Sequence, residues 1–567
     1  MRSLLFLFIL AALHTLPLWD LSNNLAGGYG DPFAHAATPG WYCANIPKGQ
    51  LTGKQFLAPY GFDLSTTYDS PMPMILTCAF PFLGSQGQFH LFAFLQILFI
   101  IFSAWLVSGI LFKENLWRIS YTLFVWWSGY YFVRSTQHFT LLSNIWGFQT
   151  ILWVFLSIKW SNNRNICVRS LALGAVFSGT FFNIPLLFIP LVGLFIYSFL
   201  QASSNNSRKS LLKSTILLMG PGLLLFGSLY WPAFWAVLQK NYQSWDQPRT
   251  IYNLDLISPI TPWMTHVFYD WFKIKPFLQY ESYNPFDLLC LMLTVFSFFR
   301  RGFWTHSLRL SLFLIAVLSF WLSLGAQVQW MGQTLFENPL FNEVSGILPF
   351  SLSRTPGRFA VIPAMILVFL GFQYAYEVTG SSSWNLPTKS RWIPLFLILW
   401  VSVTGPLMNQ TWWIPTLAYR QLLPLKGLDV IQKMPSDTLV LNLPMAPAQD
   451  PSQNFLALIH GKNINAGYLS YTTYTRKALQ PFFNDPLLGK ISCGSEALKY
   501  EKTDFMNDLS QVRNRLLELK ARALIFNKLF LRDSSCQELW SWTVLLARQP
   551  WVEVLDENNF YLVLKFN

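Results

Sequence analysis

Apolar residues in this chain gather into long runs, separated by short polar stretches, as far as Met408. The runs are Ser3–Trp19, Phe89–Phe112, Trp117–Val133, Leu141–Ile158, Val168–Phe182, Pro185–Leu200, Ser214–Leu238, Pro285–Phe299, Leu308–Leu324, Phe359–Tyr376 and Trp392–Met408. Several extend about 18 residues or more without a charge, enough for a helix to cross a hydrocarbon core about 30 Å thick. The pattern predicts a polytopic α-helical membrane protein of about eleven spans. The break at Asn183-Ile184-Pro185 is counted as a loop, because fusing the runs on either side would invert everything downstream.

Beyond Pro424 the period changes. "TLVLNLP" (438–444), "ARALIFNK" (521–528) and "WVEVLDENNFYLVLKF" (551–566) read as strands, the last as a hairpin turning at Glu557-Asn558-Asn559. "FMNDLSQVRNRLLELKA" (505–521) has helical spacing, with Asp504 or Asn507 as the expected cap. Residues 1–409 therefore form a membrane domain and 410–567 an α/β domain long enough for its own core.

Composition supports the membrane reading: 53% of the 567 residues are hydrophobic and only 12% are charged. The net charge of +13 raises nucleic acid as a partner, but its placement argues otherwise. Lys113 and Arg118, then Lys159, Arg164 and Arg169, then Arg208, Lys209 and Lys213, then Arg300, Arg301 and Arg309, then Lys389 and Arg391 fall in alternate loops. That is the positive-inside pattern, and no nucleic-acid-binding motif accompanies it. With a cytoplasmic start, the loops at 20–88, 239–284 and 325–358 and the C-terminal domain all lie outside. The first run is expected to stay as an anchor; a cleavable signal peptide is the alternative.

Cysteines fit this map. Cys43 and Cys78 share the first external loop, Cys493 and Cys536 share the tail, and Cys167 and Cys290 lie near the membrane. Two external disulfides are expected in an oxidising compartment, with free buried thiols as the alternative.

Ionisable residues are nearly absent from the span interiors. Burying one costs about 2.5–3.5 kcal/mol on insertion scales, so proton and ion pathways normally carry them. His14 is the chief exception, and a lone His among apolar neighbours reads as hydrogen-bonded structure. An ion-coupled transporter is disfavoured.

Ionisable residues collect instead at the external ends of the spans. Asp31 and His35 lie in "GGYGDPFAHA" (27–36), Asp63 and Asp69 in "PYGFDLSTTYDSPMP" (59–73), and Arg134 and His138 in "VRSTQHF". Asp255 and His266 lie in "YNLDLISPITPWMTH" (252–266), Glu281 precedes the eighth span, and Arg354 and Arg358 lie in "SLSRTPGRF" (351–359). The polar stretch "LIHGKNINAGYLSYTTYTR" (458–476) adds His460, Lys462, Tyr468, Tyr471 and Arg476. Such a ring suits chemistry on a lipid-linked substrate: a carboxylate takes the proton of an acceptor hydroxyl while arginine forks hold a phosphate. Taken singly, an Asp caps a helix and an Arg anchors at headgroups just as well. The joint placement carries the reading.

The short N-terminal anchor, the long first external loop with its acidic motif, about eleven spans and the external C-terminal domain resemble GT-C-fold glycosyltransferases. More narrowly, "GDPFAH", "PYGFDLSTTYDSPMP", "QHFTLLSNIW", "LDLISPITP", "SRTPGRF" and "HGKNINAGYLS" resemble a group of largely uncharacterised bacterial membrane proteins of that class. The resemblance implies a polyprenyl-phosphate-linked sugar donor, a glycan, lipid or polymer acceptor, and a bacterial inner-membrane setting. It implies Asp31 as base, Asp69 second, and Arg358 as a phosphate ligand. Pro32 follows Asp31 where many metal-using members carry a second acid, so a divalent metal stays open. The alternative is a non-catalytic component of envelope-polysaccharide assembly or lipid-linked glycan transport.

Overall fold

The computed structural model describes residues 2–20, 24–27, 35–45, 52–53, 58, 62–63, 71–135, 138–160, 166–179, 184–201, 220–227, 253–261, 267–273, 286–347, 350, 355–380, 392–409, 412–444, 452–465, 484–488, 491, 508–532 and 534–567. Three described stretches are long and apolar enough to cross a membrane: Pro81–Leu111, Phe139–Ser157 and Pro356–Thr379. Shorter apolar helices occupy Arg2–His14, Val168–Phe177, Leu186–Phe199, Leu288–Phe298, Ser307–Ser323 and Trp392–Leu407. Their outward faces carry exposed apolar side chains, among them Phe6, Ile9, Leu314, Val317, Phe396 and Leu399. A surface of that kind is matched to lipid.

The Gly84–Leu111 helix packs against Ser143–Trp160 and Asn115–Trp126, and Leu288–Phe298 packs against Val361–Gly380. Buried polar side chains between helices pair with one another. Trp146 Nε1 donates to Gln96 Oε1 at 2.7 Å, and the Tyr121 hydroxyl donates to Gln149 Oε1 at 3.0 Å. Such bonds join helices where lipid offers no partner. Close backbone approach does the same for Ile166–Gly179 and the helical residues 220–227. A Cβ on Gly174 would stand 2.6 Å from Gly222 Cα, and the Gly222 amide donates to Ser170 Oγ at 3.0 Å.

The expected run Trp117–Val133 is not one helix. It breaks into Asn115–Trp126 and Gly129–Ser135, because the Ser128 hydroxyl accepts the Tyr131 amide in the manner of an N-cap and starts the second helix.

Beyond Trp412 a mixed five-stranded sheet forms, with spatial order Val552–Glu557, Tyr561–Phe566, Ala521–Asn527, Leu439–Leu443, Asn463–Ile464. The first three pair antiparallel; Leu439–Leu443 runs parallel to both its neighbours. Asn558 closes the hairpin by accepting the Phe560 and Tyr561 amides at 2.8 and 2.7 Å. The helix expected over 505–521 is Leu509–Glu518. Its cap is Asp508, whose carboxylate reaches the Ser510 and Gln511 amides; the expected caps Asp504 and Asn507 lie outside the described residues.

Candidate functional site

The loop after the first helix is fastened to the N-terminal end of the long Gly84–Leu111 helix. Asn24–Ala26 pairs antiparallel with Thr416–Ala418, and the Ala26 amide donates to His90 Nε2 at 3.2 Å. Gln86 Nε2 donates to Asn24 O at 2.8 Å. Gly27, the first residue of the motif around Asp31, has φ +86° and donates to Pro415 O at 2.7 Å. That backbone conformation is strained for any residue with a Cβ.

The far end of the motif is held by the same helix. Ala36 and Ala37 are buried, and Ser85 Oγ donates to Ala36 O at 2.9 Å while accepting the Gly40 amide at 3.1 Å. Cys43 and Cys78 form a disulfide with Cα atoms 5.2 Å apart. Cys536 is also disulfide-bonded; Cys493, its expected partner, lies outside the described residues. Cys290 is a free, buried thiol.

The expected site residues fall into separate groups. Asp31, Asp69, His266, Glu281 and Arg354 lie outside the described residues, as do Tyr468, Tyr471 and Arg476. His35 is buried beside the Ser85 anchor, and Asp63 sits in a two-residue strand opposite Thr52. Arg134 is fully buried with its guanidinium 5.2 Å from the centre of the Tyr130 ring, and the His138 amide donates to Arg134 O at 2.8 Å. Phe139, next to His138, meets Phe89 edge to face at 6.2 Å. The turn that begins after His138 therefore packs on the first turns of the long helix, which also hold the ends of the Asp31 segment.

Asp255 and Arg358 form a second group around the small core of Leu254, Leu324, Val328 and Ala360. The Asp255 carboxylate accepts three amides, from Ile257 at 3.1 Å, Met331 at 3.1 Å and Gly332 at 2.7 Å. Met331 and Gly332 both have positive φ and form the tight turn between Gln327–Trp330 and Gln333–Glu337. Asp255 thus holds a hairpin turn. Arg358 is buried in the 3-10 turn Pro356–Ala360 that opens the Val361–Gly380 helix.

His460 stands apart, buried at the end of the Ser452–His460 helix with Nδ1 accepting the Lys462 amide at 3.0 Å. Burial, and then the nearby Lys462 charge, pull its pKa down to about 3. Lys462 itself is buried and its ammonium donates to Met434 O. This sheet still touches the first loop, since the Ala58 amide donates to Ile464 O at 2.8 Å. His14 is structural, as its surroundings predict: Nδ1 lies 2.6 Å from Trp412 O and Nε2 lies 2.7 Å from the Tyr131 hydroxyl.

Among the described residues no three His, Cys, Asp or Glu side chains gather as a metal site. Sequence reasoning passed over Asp287, a carboxylate beside a cavity. An acid directly before an apolar helical run reads first as a cap, and Asp287 does accept the Cys290 amide at 2.8 Å.

No family model matches the sequence, and no curated protein matches it. Solved structures do resemble the fold. A cryo-EM structure of a mutant arabinofuranosyltransferase AftD from mycobacteria aligns with TM-score 0.53 and 10% identity over 99% of this chain and 41% of that one. The apo oligosaccharyltransferase of Archaeoglobus fulgidus aligns with TM-score 0.51 and 10% identity over 95% and 71%. ArnT from Cupriavidus metallidurans, bound to undecaprenyl phosphate, aligns with TM-score 0.50 and 12% identity over 99% and 97%. This chain spans about two fifths of the arabinofuranosyltransferase's length. At such identities the likeness establishes the fold alone. The chain is a helical membrane protein with the GT-C fold of membrane glycosyltransferases.

Proposed function

We propose that this protein is a membrane glycosyltransferase that moves a sugar from a polyprenyl-phosphate carrier to an extracytoplasmic glycan, lipid or polymer acceptor. The observation that carries the reading is the fastening of the motif around Asp31. Ala26 and Ala36, five residues to either side of the acid, are held through His90 and Ser85 by the first turns of one long apolar helix. In this reading Asp31 takes the proton of the acceptor hydroxyl as its oxygen attacks the anomeric carbon. The bond from that carbon to the phosphate oxygen breaks, and polyprenyl phosphate leaves with the electron pair. Arg358 holds the phosphate through charge-assisted hydrogen bonds. Asp69 is the second candidate acid. Among the remaining expected contacts, Asp255 has a structural task in its hairpin and is the weakest candidate for substrate.

The first loop, the Asp31 motif and the C-terminal sheet lie outside the membrane in this topology, where disulfides persist. Protein in nanodiscs, mixed with a panel of polyprenyl-phosphate sugars and glycan acceptors, should release polyprenyl phosphate. Donor binding without release on any acceptor would favour a non-catalytic component of polysaccharide assembly instead.

A further inference from the structure

A cavity of about 290 Å³ lies where the end of Asn115–Trp126, the start of Leu288–Phe298 and the turn Val403–Leu407 meet. Aromatic rings of Trp127, Phe132, Phe286 and Trp400 form much of its wall, and Asp287 supplies a carboxylate. The local sequence explains the opening. Pro406 cannot donate a backbone hydrogen bond, so the Trp392–Ser402 helix widens into a π-turn at Val403–Leu407. Asn409 Nδ2 satisfies the carbonyls there, donating to Thr404 O at 3.0 Å and Gly405 O at 2.8 Å. Gly405 lets the turn approach closely: a Cβ on it would stand 3.2 Å from the Phe132 ring.

Among the described residues, the indole N–H of Trp127, a residue only 4% exposed, makes no hydrogen bond. The Trp400 indole N–H is directed at the Asp287 carboxylate. A buried donor left without an acceptor is costly.

We infer that this cavity binds one neutral sugar ring. A sugar hydroxyl both accepts and donates, so it bridges an indole N–H to the Asp287 carboxylate. An ammonium group would meet the carboxylate and the aromatic faces but offers no acceptor to the Trp127 N–H, which a hydroxyl does. The volume, at the lower end of the range of about 300–1,000 Å³ for ligand pockets, suits a single ring rather than a glycan chain. The inference rests on the sugar-transfer reading for the source of the ring, though its test does not.

Saturation-transfer NMR on the full chain in nanodiscs, with methyl glycosides of neutral pentoses and hexoses as probes, reads binding without turnover. At least one glycoside should receive transfer at its ring protons. The double variant Trp127→Phe/Trp400→Phe keeps the rings, and Asp287→Asn keeps a capping oxygen. Each should weaken Kd about tenfold, the worth of one or two lost hydrogen bonds. No transfer to any glycoside, an equal Kd in every variant, or displacement of the glycoside by methylammonium overturns the inference. Glycoside binding in a protein that never releases polyprenyl phosphate leaves the cavity standing and removes the transferase, and turnover without glycoside binding does the reverse.

Discussion

The Gly27 amide donates to the Pro415 carbonyl at 2.7 Å, tying the start of the acidic motif to the segment that leads into the C-terminal sheet. Gly27 adopts φ +86° to make this bond. A β-branched residue there meets a steric cost of about 1–2 kcal/mol, so Gly27→Val should loosen the motif while leaving its acid present. Turnover should fall in Gly27→Val with donor affinity retained. Asp31→Asn should lower it by about 10² or more, the usual worth of a positioned proton acceptor. Steady-state transfer rates read both, and an unchanged rate in Asp31→Asn removes that residue from the chemistry.

Arg358 separates binding from turnover. Arg358→Ala should weaken donor affinity, measured by titration with polyprenyl phosphate, because the phosphate is held in the ground state as well as the transition state. Arg358→Lys should recover only part of the loss, since an ammonium cannot reproduce the guanidinium fork. Equal affinity in the alanine variant would falsify the assignment.

The Cys43–Cys78 disulfide closes a loop with sequence separation 35. In the chain-entropy account a loop of that length contributes about 4 kcal/mol. Replacing either cysteine with serine should therefore expose the first loop to protease under conditions where the wild type resists. The proposed extracytoplasmic placement of the C-terminal domain predicts that a reporter active only in the cytoplasm, fused after Asn567, stays silent. Reporter activity there would invert the topology.

His460 supplies a pH dependence. Its pKa falls from 6.5 to about 3 on burial, so the unfolded chain takes up the proton more readily than the folded one. Its contribution to stability is full above pH 6.5 and is lost progressively as pH falls towards 3. His460→Asn keeps an acceptor for the Lys462 amide and removes the titration. Hydrogen-exchange protection of Leu439–Leu443, compared between the two proteins at each pH, should diverge below pH 6.5. Parallel behaviour down to pH 4 would rule this out.

The sequence by itself determined what depends on local pattern. Apolar length marked Pro81–Leu111 and Pro356–Thr379, because a helix in lipid satisfies its own backbone and needs no partner to be recognised. Alternation marked the strands Leu439–Leu443 and Tyr561–Phe566, and two cysteines in one loop pointed to their disulfide. The break at Ser128 was also written there, as a serine before a glycine, but a continuous apolar run concealed it. Only the tertiary structure decided which polar groups have work to do. Asp255 and Asp287 look alike in sequence, each an acid beside an apolar stretch. One is fully buried and holds a turn through Met331 and Gly332, 76 and 77 residues away, whereas the other caps its own helix and borders a cavity. That difference arises from contacts between segments distant in the chain, and no periodicity encodes them.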